Sequence, residues 1–364
     1  MSRTLLEHYG NPSSSTHPIG WYAEELVAKA REQVAAAIKA EPKEIIFTSG
    51  ATESNNLAIK GLENPEQKQV ITAATEHPAV LDPMRQLAKK GAALTILGVN
   101  KEGHIDLEAL REALETPTAL VSIMLANNEM GCIQDLKAIS KLTKAAGCLL
   151  HCDATQAIGK LAIDVNDMGI DLLSLSSHKV YGPKGVGLLY IRSGQPKIFL
   201  KALQEGGGQE RGLRSGTLNV PGIVAFGEAC ELAENHREEE MLRFRKLGAL
   251  LLQKIKSTLE EASLNGPEFG EEATITRLPG NLSLHLPGIS NMKLLALVNT
   301  KLAFSVSSAC HAGSAEPSHV LSALGLSAKE QAECIRIGIG RFNSMEEIEA
   351  AAQILTDAIK KLLK

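Results

Sequence analysis

Several features that mark common protein classes are missing from this sequence. The net charge is only -4 at pH 7, so the chain lacks the basic excess expected of a protein that binds nucleic acid or an anionic membrane. No run is apolar over the roughly 20 residues that a membrane-spanning helix needs, and the first residues have no signal-peptide pattern. We therefore expect a cytoplasmic protein that acts on small molecules.

The six cysteines form no CxxC pair, and no predicted strand is followed by a GxGxxG motif. Most of these cysteines lie in apolar or helical runs, where a reduced thiol packs as a small hydrophobic side chain, and this fits a reducing compartment. The missing glycine motif argues against a redox enzyme of the Rossmann type. Cys148, His151 and Cys152 share one predicted strand whose side chains alternate between two faces, so we predict no metal site there.

Strand-like and helical runs alternate over much of the chain. Runs of Val, Ile and Leu separated by helices predict an α/β fold with a mostly parallel sheet covered on both faces. A helical stretch at about 221–259 leads to a segment with an α+β pattern. We expect a large α/β domain at 1–235 and a small C-terminal α+β domain at 236–364. The predicted strands are 44–48, 69–74, 93–99, 120–126, 148–152, 172–176, 186–191, 281–286, 304–308 and 335–339, with a first long helix at 21–40 and a last one from 344.

An acidic residue ends one predicted strand, and a lysine follows the next. Asp153 ends the run from Cys148, and Lys179 comes after the run from Asp171. Ligands bind beyond the carboxyl ends of parallel strands, so both side chains could reach one flat ring. This pairing suits pyridoxal 5'-phosphate (PLP), because an amine can form a Schiff base and a carboxylate beside the pyridine nitrogen keeps that nitrogen protonated. Taken singly, such residues are more often a surface lysine and a helix-capping aspartate, and it is the combination with the motifs that follow that favours PLP.

Polar residues after other predicted strands would complete such a site. The turn that contains Ala51 and Thr52 runs from a strand into a helix, so its N–H groups and the Thr52 hydroxyl could receive a phosphate, or it could be an ordinary helix start. His77 could stack on the ring and move protons, or it could cap the helix that begins at Pro78.

Amide and arginine side chains are candidates for the remaining contacts. Asn128 could hold the ring oxygen or the substrate carboxylate, although the segment Asn127–Gly131 also suits a tight turn. Gln156 is a second candidate for the ring oxygen. Arg336 lies in an apolar strand, where its guanidinium needs an anion, either a substrate carboxylate or a structural ion pair.

Two glycine-rich and serine-rich segments add further candidates. The segment Glu205–Thr217 could be a mobile loop, or its Ser215 to Thr217 end could contact a phosphate. Cys310 lies in a stretch rich in Ser, Gly and Ala that suits an exposed, mobile thiol, and His311 could aid its deprotonation. The alternative is a buried, inert cysteine.

Together these motifs resemble the cysteine desulfurases, which are PLP enzymes of the class V aminotransferase type. The resemblance runs nearly the whole length of the chain. It is carried by Tyr9-Gly-Asn-Pro-Ser-Ser, Ser49-Gly-Ala-Thr-Glu-Ser-Asn-Asn, Thr75-Glu-His, Asn127-Asn-Glu, Asp153-Ala-Thr-Gln, Ser177-His-Lys, Gly182-Pro-Lys-Gly, Arg214-Ser-Gly-Thr and Ser308-Ala-Cys.

The resemblance implies PLP fold type I, a homodimer and the conversion of L-cysteine to L-alanine, with the sulfur passed to an acceptor such as an iron-sulfur scaffold protein. It also implies a role for each matched residue. On the cofactor ring, Lys179 would carry the Schiff base, Asp153 would pair with the pyridine nitrogen and His77 would stack on the ring. The phosphate side would be lined by Ala51, Thr52, Ser176 and His178, with Thr217 from the partner subunit. Asn128 and Gln156 would hold the ring oxygen and substrate, Arg336 would bind the substrate carboxylate, and Cys310 would take the sulfur as a persulfide.

Three departures from the family pattern leave alternatives open. The usual first strand, which resembles Tyr-Leu-Asp-Asn-Ala-Ala-Thr-Thr-Pro, is absent before Tyr9, so part of the active-site wall is expected to be missing. This departure favours a PLP-binding accessory protein with impaired turnover as one alternative. Pro78 follows His77 where desulfurases often carry lysine, which leaves selenocysteine lyase as another. The chain ends at Lys364 without the extension that some members use to dock a scaffold.

Overall fold

The computed structural model describes residues 1–62, 68–269, 276–306 and 317–364. The chain forms two compact units. The first comprises Met1–Leu97, Leu107–Leu125 and Asp135–Arg237, and the second comprises Gly98–Asp106, Ala126–Gln134 and Glu238–Lys364. None of the helices in these described ranges is both long and apolar enough to cross a membrane.

A seven-stranded sheet is the centre of the first unit. In chain order its strands are β1 Ile45–Thr48, β2 Gln69–Ala73, β3 Ala93–Leu97, β4 Thr118–Ser122, β5 Leu149–Asp153, β6 Leu172–Ser176 and β7 Gly187–Ile191. They are arranged as β1-β7-β6-β5-β4-β2-β3. The five strands from β6 to β3 pair in parallel, whereas β7 is antiparallel to both of its neighbours. The carboxyl ends of the five parallel strands therefore share one edge.

Helices cover this sheet because its strands are apolar on both faces. Strands β2 and β6 are buried at every position, as expected for a sheet packed between helices. One core cluster joins Ile46, Val70 and Leu172 of the sheet to Leu57 and Met84 of the helices. The helices of the first unit are α1 Ser2–Glu7, α2 Pro18–Ala36, α3 Ala51–Lys60, α4 Pro78–Lys89, α5 Leu107–Ala113 and α6 Leu136–Ala145, followed by the start of α7 Val220–Lys256.

The second unit has its own sheet and core. Strands β8 Ser263–Leu264, β9 Asn281–His285 and β10 Cys334–Gly338 pair antiparallel in the order β10-β9-β8. The core contains apolar residues of the second half of α7, of β9 and β10, and of the last helix. The remaining helices are α8 Asn291–Val298, α9 His319–Ala323, α10 Ala328–Gln331 and α11 Met345–Leu362.

The α/β fold with a mostly parallel sheet is confirmed, with small differences at the ends of elements. The first long helix begins at Pro18 rather than Trp21, with His17 as its cap. Strand β4 ends at Ser122. The sequence predicts that it continues to Ala126, but residues 123–126 lie outside the strand. In the predicted strand 304–308, the described residues form one bridge between Ser305 and Arg336. The second compact unit also includes two segments from earlier in the chain, 98–106 and 126–134. Chain order alone could not indicate that these segments belong to it.

Candidate active site

Two adjacent parallel strands bring the predicted aspartate and lysine to the same edge of the sheet. Strand β5 ends at Asp153, which lies opposite Ser174 of β6. Strand β6 ends at Ser176 and continues into a single 3-10 turn, Ser177–Lys179. The carboxylate and the amine therefore leave neighbouring strands in the same direction.

The Asp153 carboxylate is buried and held by two donors. Asn55 Nδ2 donates to its Oδ2 at 2.8 Å, and the backbone N–H of Thr155 donates to its Oδ1 at 3.0 Å. Asn55 is fully buried on α3. These two hydrogen bonds fix the direction of the carboxylate.

Asn55 is a site residue that our sequence interpretation did not single out. Asn55 lies in the interior of α3. Asparagine is disfavoured in helix interiors because its side-chain amide competes for the hydrogen bonds of the backbone. The paired Asn55-Asn56 in the interior of a predicted helix was the available signal. Within the described residues, Asn55 Oδ1 and Thr155 Oγ1 are buried atoms without a hydrogen-bond partner.

Lys179 is exposed at this edge, and a second lysine lies near it. Lys160 donates from Nζ to the backbone oxygen of Gln156 at 3.0 Å and to its side-chain Oε1 at 3.5 Å. Burial, and then the charge of Lys179, lower the pKa of Lys160 to about 8. The structure thus places Gln156 and two cationic groups in one neighbourhood.

The N-terminus of α3 begins beside the end of β6. Gly50 caps this helix with φ of +155° and no side-chain cap, and a Cβ placed there would lie 3.7 Å from Ser176 Oγ. Ser176 Oγ is in turn 2.8 Å from His178 Nδ1. A helix start whose first N–H groups have no intrahelical acceptor, next to a hydroxyl and an imidazole, is suited to an anion. Ala51 and Thr52 are the first two residues of this helix.

Gly187 allows this close packing. A Cβ on Gly187 would lie 2.5 Å from the Leu175 oxygen and 2.6 Å from the Gly50 Cα. Both are backbone atoms, which cannot move aside as the end of a flexible side chain would. Strand β7 can therefore approach the turn at Gly50 only with glycine at this position.

His77 caps α4, as one of the two sequence interpretations allowed. Its Nδ1 accepts from the Ala79 N–H at 3.0 Å. Because Nδ1 is the acceptor, a neutral ring carries its proton on Nε2. The cap therefore sets the tautomer of the imidazole without excluding the stacking role.

Glu76, next to His77, is a buried carboxyl group near Asp153. Its Oε1 accepts from the Met124 N–H at 2.6 Å. Burial first, and then the charge of Asp153, raise the pKa of Glu76 well above its ordinary value. The raised pKa favours the neutral form of Glu76.

The loop that precedes Thr217 is fastened to α2, β1 and α3. Glu210 accepts from Arg31 at 2.6 Å and from the Phe47 N–H at 2.7 Å. Arg214 pairs with Glu53 at 2.9 Å. Ser215, a predicted phosphate contact, accepts from the Gly208 N–H within the loop at 3.3 Å. Thr217 itself is exposed.

Asn128 and Arg336 meet in the second unit. Arg336 Nη1 donates to the Asn128 carbonyl at 3.4 Å, and Asn281 Nδ2 donates to the same oxygen at 3.2 Å. In the described part of the chain, Arg336 has no carboxylate within ion-pair distance. The preceding Asn127 forms the tight turn that was the alternative interpretation, because its Oδ1 accepts from the N–H groups of Glu129 and Met130.

Cys310 and His311 lie outside the described residues. The other five cysteines are free, buried thiols. Burial raises the pKa of Cys132 to about 12 and the pKa of Cys148 and Cys334 to about 11. Burial also raises the pKa of Cys152 and Cys230 well above the ordinary value of a thiol. Because the thiolate is the reactive form, these five are poor nucleophiles.

Comparisons with known proteins agree with this geometry. A family model described as aminotransferase class-V matches residues 1–351. The cysteine desulfurase IscS of Ehrlichia chaffeensis is 46% identical over 360 residues, which are 98% of this chain and 86% of that protein. The cysteine desulfurase of Homo sapiens is 44% identical over 362 residues, 98% of this chain and 77% of that protein. A solved structure of a NifS-like protein is 35% identical and superposes with a TM-score of 0.89 over 99% of this chain and 94% of that one.

Proposed function

This chain belongs to the class V aminotransferase family and is a cysteine desulfurase within it, and on that premise we propose that it uses PLP to convert L-cysteine to L-alanine, passing the sulfur to Cys310 as a persulfide. The observation that carries the proposal is the buried Asp153 carboxylate, held by Asn55 and the Thr155 N–H, on the strand beside the one that leads to Lys179.

The described residues fit PLP in three respects. An oriented carboxylate suits a pyridinium nitrogen, an exposed lysine suits the aldehyde, and the α3 N-terminus beside Ser176 and His178 suits a phosphate. Two buried oxygen atoms near Asp153, Asn55 Oδ1 and Thr155 Oγ1, also lack a partner within the described residues. Buried polar atoms without partners are costly, so they favour a site that is completed by another group.

When bound, PLP supplies the electron sink that weakens bonds to the substrate α-carbon. Lys179 would anchor it, Ala51, Thr52, Ser176 and His178 would line its phosphate, and Gln156 would donate to the ring oxygen. Asp153 would hold a proton at the ring nitrogen, because a fixed, buried carboxylate stabilises the cation. His77 would lie on the ring face with Nε2 as its proton-carrying atom. Asn128 and Arg336 would bind the substrate, with Arg336 on its carboxylate.

Cys310 is the proposed sulfur acceptor. In the overall reaction the carbon–sulfur bond of cysteine breaks, a sulfur–sulfur bond forms on Cys310, and alanine leaves. A thiol reductant would then release sulfide and restore the thiol. The high pKa values of the five buried cysteines support the choice, because none of them is suited to nucleophilic attack.

We propose a homodimer in which Thr217 of each protomer reaches the phosphate bound by the other. The exposure of Thr217 on a well-anchored loop supports this arrangement. Large apolar side chains are also exposed near the N-terminus, among them Leu6, Tyr9, Ile19 and Trp21. Exposed apolar residues that cluster in one region of a chain are typical of an interface.

The test is dithiothreitol-dependent release of sulfide and alanine from L-cysteine by the PLP-loaded protein. We expect equal amounts of both products. The variant Cys310→Ala should lose them while keeping its visible PLP absorbance, whereas Cys230→Ala, which removes a buried thiol, should retain activity. Sulfide release by Cys310→Ala at the parental rate would contradict the persulfide route. A parent protein that binds no PLP would contradict the proposal as a whole.

A further inference from the structure

Lys160 lies in the turn after β5, four residues beyond Gln156, and the proposed chemistry leaves it without a role. Its ammonium group donates to the Gln156 backbone oxygen at 3.0 Å and to Gln156 Oε1 at 3.5 Å. The side chain is only partly exposed. A partly buried lysine whose contacts are two neutral oxygens keeps its charge at a cost, so a benefit elsewhere is expected.

The contact with Oε1 determines which way the Gln156 amide faces. An ammonium group has three donors and no acceptor, so the amide must turn its oxygen toward Lys160. The Nε2 group, with its two N–H donors, is then directed away from Lys160. A ring oxygen that carries negative charge requires such a donor.

The charge of Lys160 also acts on Lys179. The charge of Lys179 contributes to the lowered pKa of Lys160, and a Coulomb interaction between two groups acts on both of them. His178 is affected by the same cluster, since burial and the charges of Lys179 and Lys184 lower its pKa. The titratable groups that interact with Lys179 therefore include Lys160 and His178.

We propose that Lys160 is a positioning residue for the PLP site: it orients the Gln156 amide as a donor to the ring oxygen and provides a positive charge beside the Lys179 amine. The inference rests on the proposed function, because the ring oxygen belongs to PLP. The effect of the charge on Lys179, however, exists in the protein without PLP. A nearby cation disfavours the protonated amine, so more of Lys179 is in its nucleophilic form at a given pH.

The first measurement uses protein without PLP. The probe is reductive methylation at pH 7, followed by peptide mass spectrometry, which reports the neutral fraction of Lys179. At this pH Lys160, with a pKa of about 8, still carries its charge. If removal of the Lys160 charge raises the Lys179 pKa by about one unit, the initial rate of Lys179 methylation in Lys160→Met should fall by about tenfold. Lys160→Arg keeps a cation and should stay near the parental rate. Lys141→Met, which removes an exposed lysine of α6, is the matched control and should have no effect.

The second measurement uses PLP-loaded protein and records the pH midpoint of its visible absorbance change. Loss of the cation and of the amide donor both disfavour deprotonation at the cofactor, so Lys160→Met should raise this midpoint by about one pH unit. In a Gln156→Ala background the same substitution should produce a smaller rise, because the amide contribution is already lost.

The outcomes separate the two parts of the inference from the proposed function. Unchanged methylation and an unchanged midpoint in folded Lys160→Met would overturn the inference. An equal midpoint rise in the parent and in the Gln156→Ala background would overturn the orienting role of Lys160. If the parent itself takes up no PLP, the proposed function fails, and the methylation comparison still decides whether Lys160 acts on Lys179.

Discussion

Acidification should destabilise this protein through His151, a histidine buried in the middle of β5. Its Nδ1 is 2.7 Å from Ser122 Oγ on β4, and its Nε2 is 3.0 Å from Ser174 Oγ on β6. The side chain is fully buried. Burial lowers its pKa from 6.5 to about 4, with the charge of Asp153 acting in the opposite direction. The ring is therefore neutral in the folded protein and joins three strands.

The sign and size of the effect follow from proton binding. Between pH 6.5 and about 4 the unfolded chain binds a proton that the folded protein does not, so the free energy of unfolding falls as the pH falls through this window. The loss that this one group causes between pH 7.5 and pH 5.0 is about 2 kcal/mol, and it approaches about 3 kcal/mol below pH 4. This is a large share of the stability of a typical domain.

The assay is urea unfolding at pH 7.5 and pH 5.0 of the parent and of His151→Gln, at one protein concentration. Glutamine can bond to the serine hydroxyls but does not titrate, so its free energy of unfolding should fall by about 2 kcal/mol less than that of the parent over this interval. His236→Gln, which replaces an exposed histidine of α7, should behave as the parent does. Equal losses in the parent and in His151→Gln would refute the reasoning.

Three further predictions concern the elements that hold the site. Asn55→Ala removes a donor to the Asp153 carboxylate, so PLP affinity in an absorbance titration should fall by about tenfold or more. Asn56→Ala, which alters the partly exposed neighbour, should leave the affinity unchanged; equal affinities of the parent and Asn55→Ala would contradict the role of Asn55. Glu210→Gln leaves the Arg31 cation without its partner and should lower the free energy of unfolding by about 2 to 4 kcal/mol in urea; a change below about 0.5 kcal/mol would contradict it. Gly187→Ala places a methyl group against backbone atoms, so PLP affinity and the midpoint of thermal unfolding should both fall, and parental values for both would show that the turn can shift.

Asp153 and Lys179 could be paired from sequence because the signal is local. Each residue ends or follows an apolar run, and parallel strands place their carboxyl ends at one edge whatever their order. The same logic applies to the α3 N-terminus and to His77, which also follow strands. Chain order and hydrophobic periodicity were sufficient for these residues, and for the bounds of most strands to within a few residues.

The contacts around these residues depend on the tertiary structure. Asn55 is 98 positions from Asp153 in the sequence, and Ser122 and Ser174 flank His151 only because β4, β5 and β6 are adjacent. The antiparallel insertion of β7 between β1 and β6 is likewise a matter of strand order. Hydrophobic periodicity reports the face of an element that is buried but not the element that covers it. The sequence by itself therefore determined the α/β class and the residues available for chemistry, whereas packing decided which polar groups orient them, because hydrogen bonds depend on atoms that only the fold brings together.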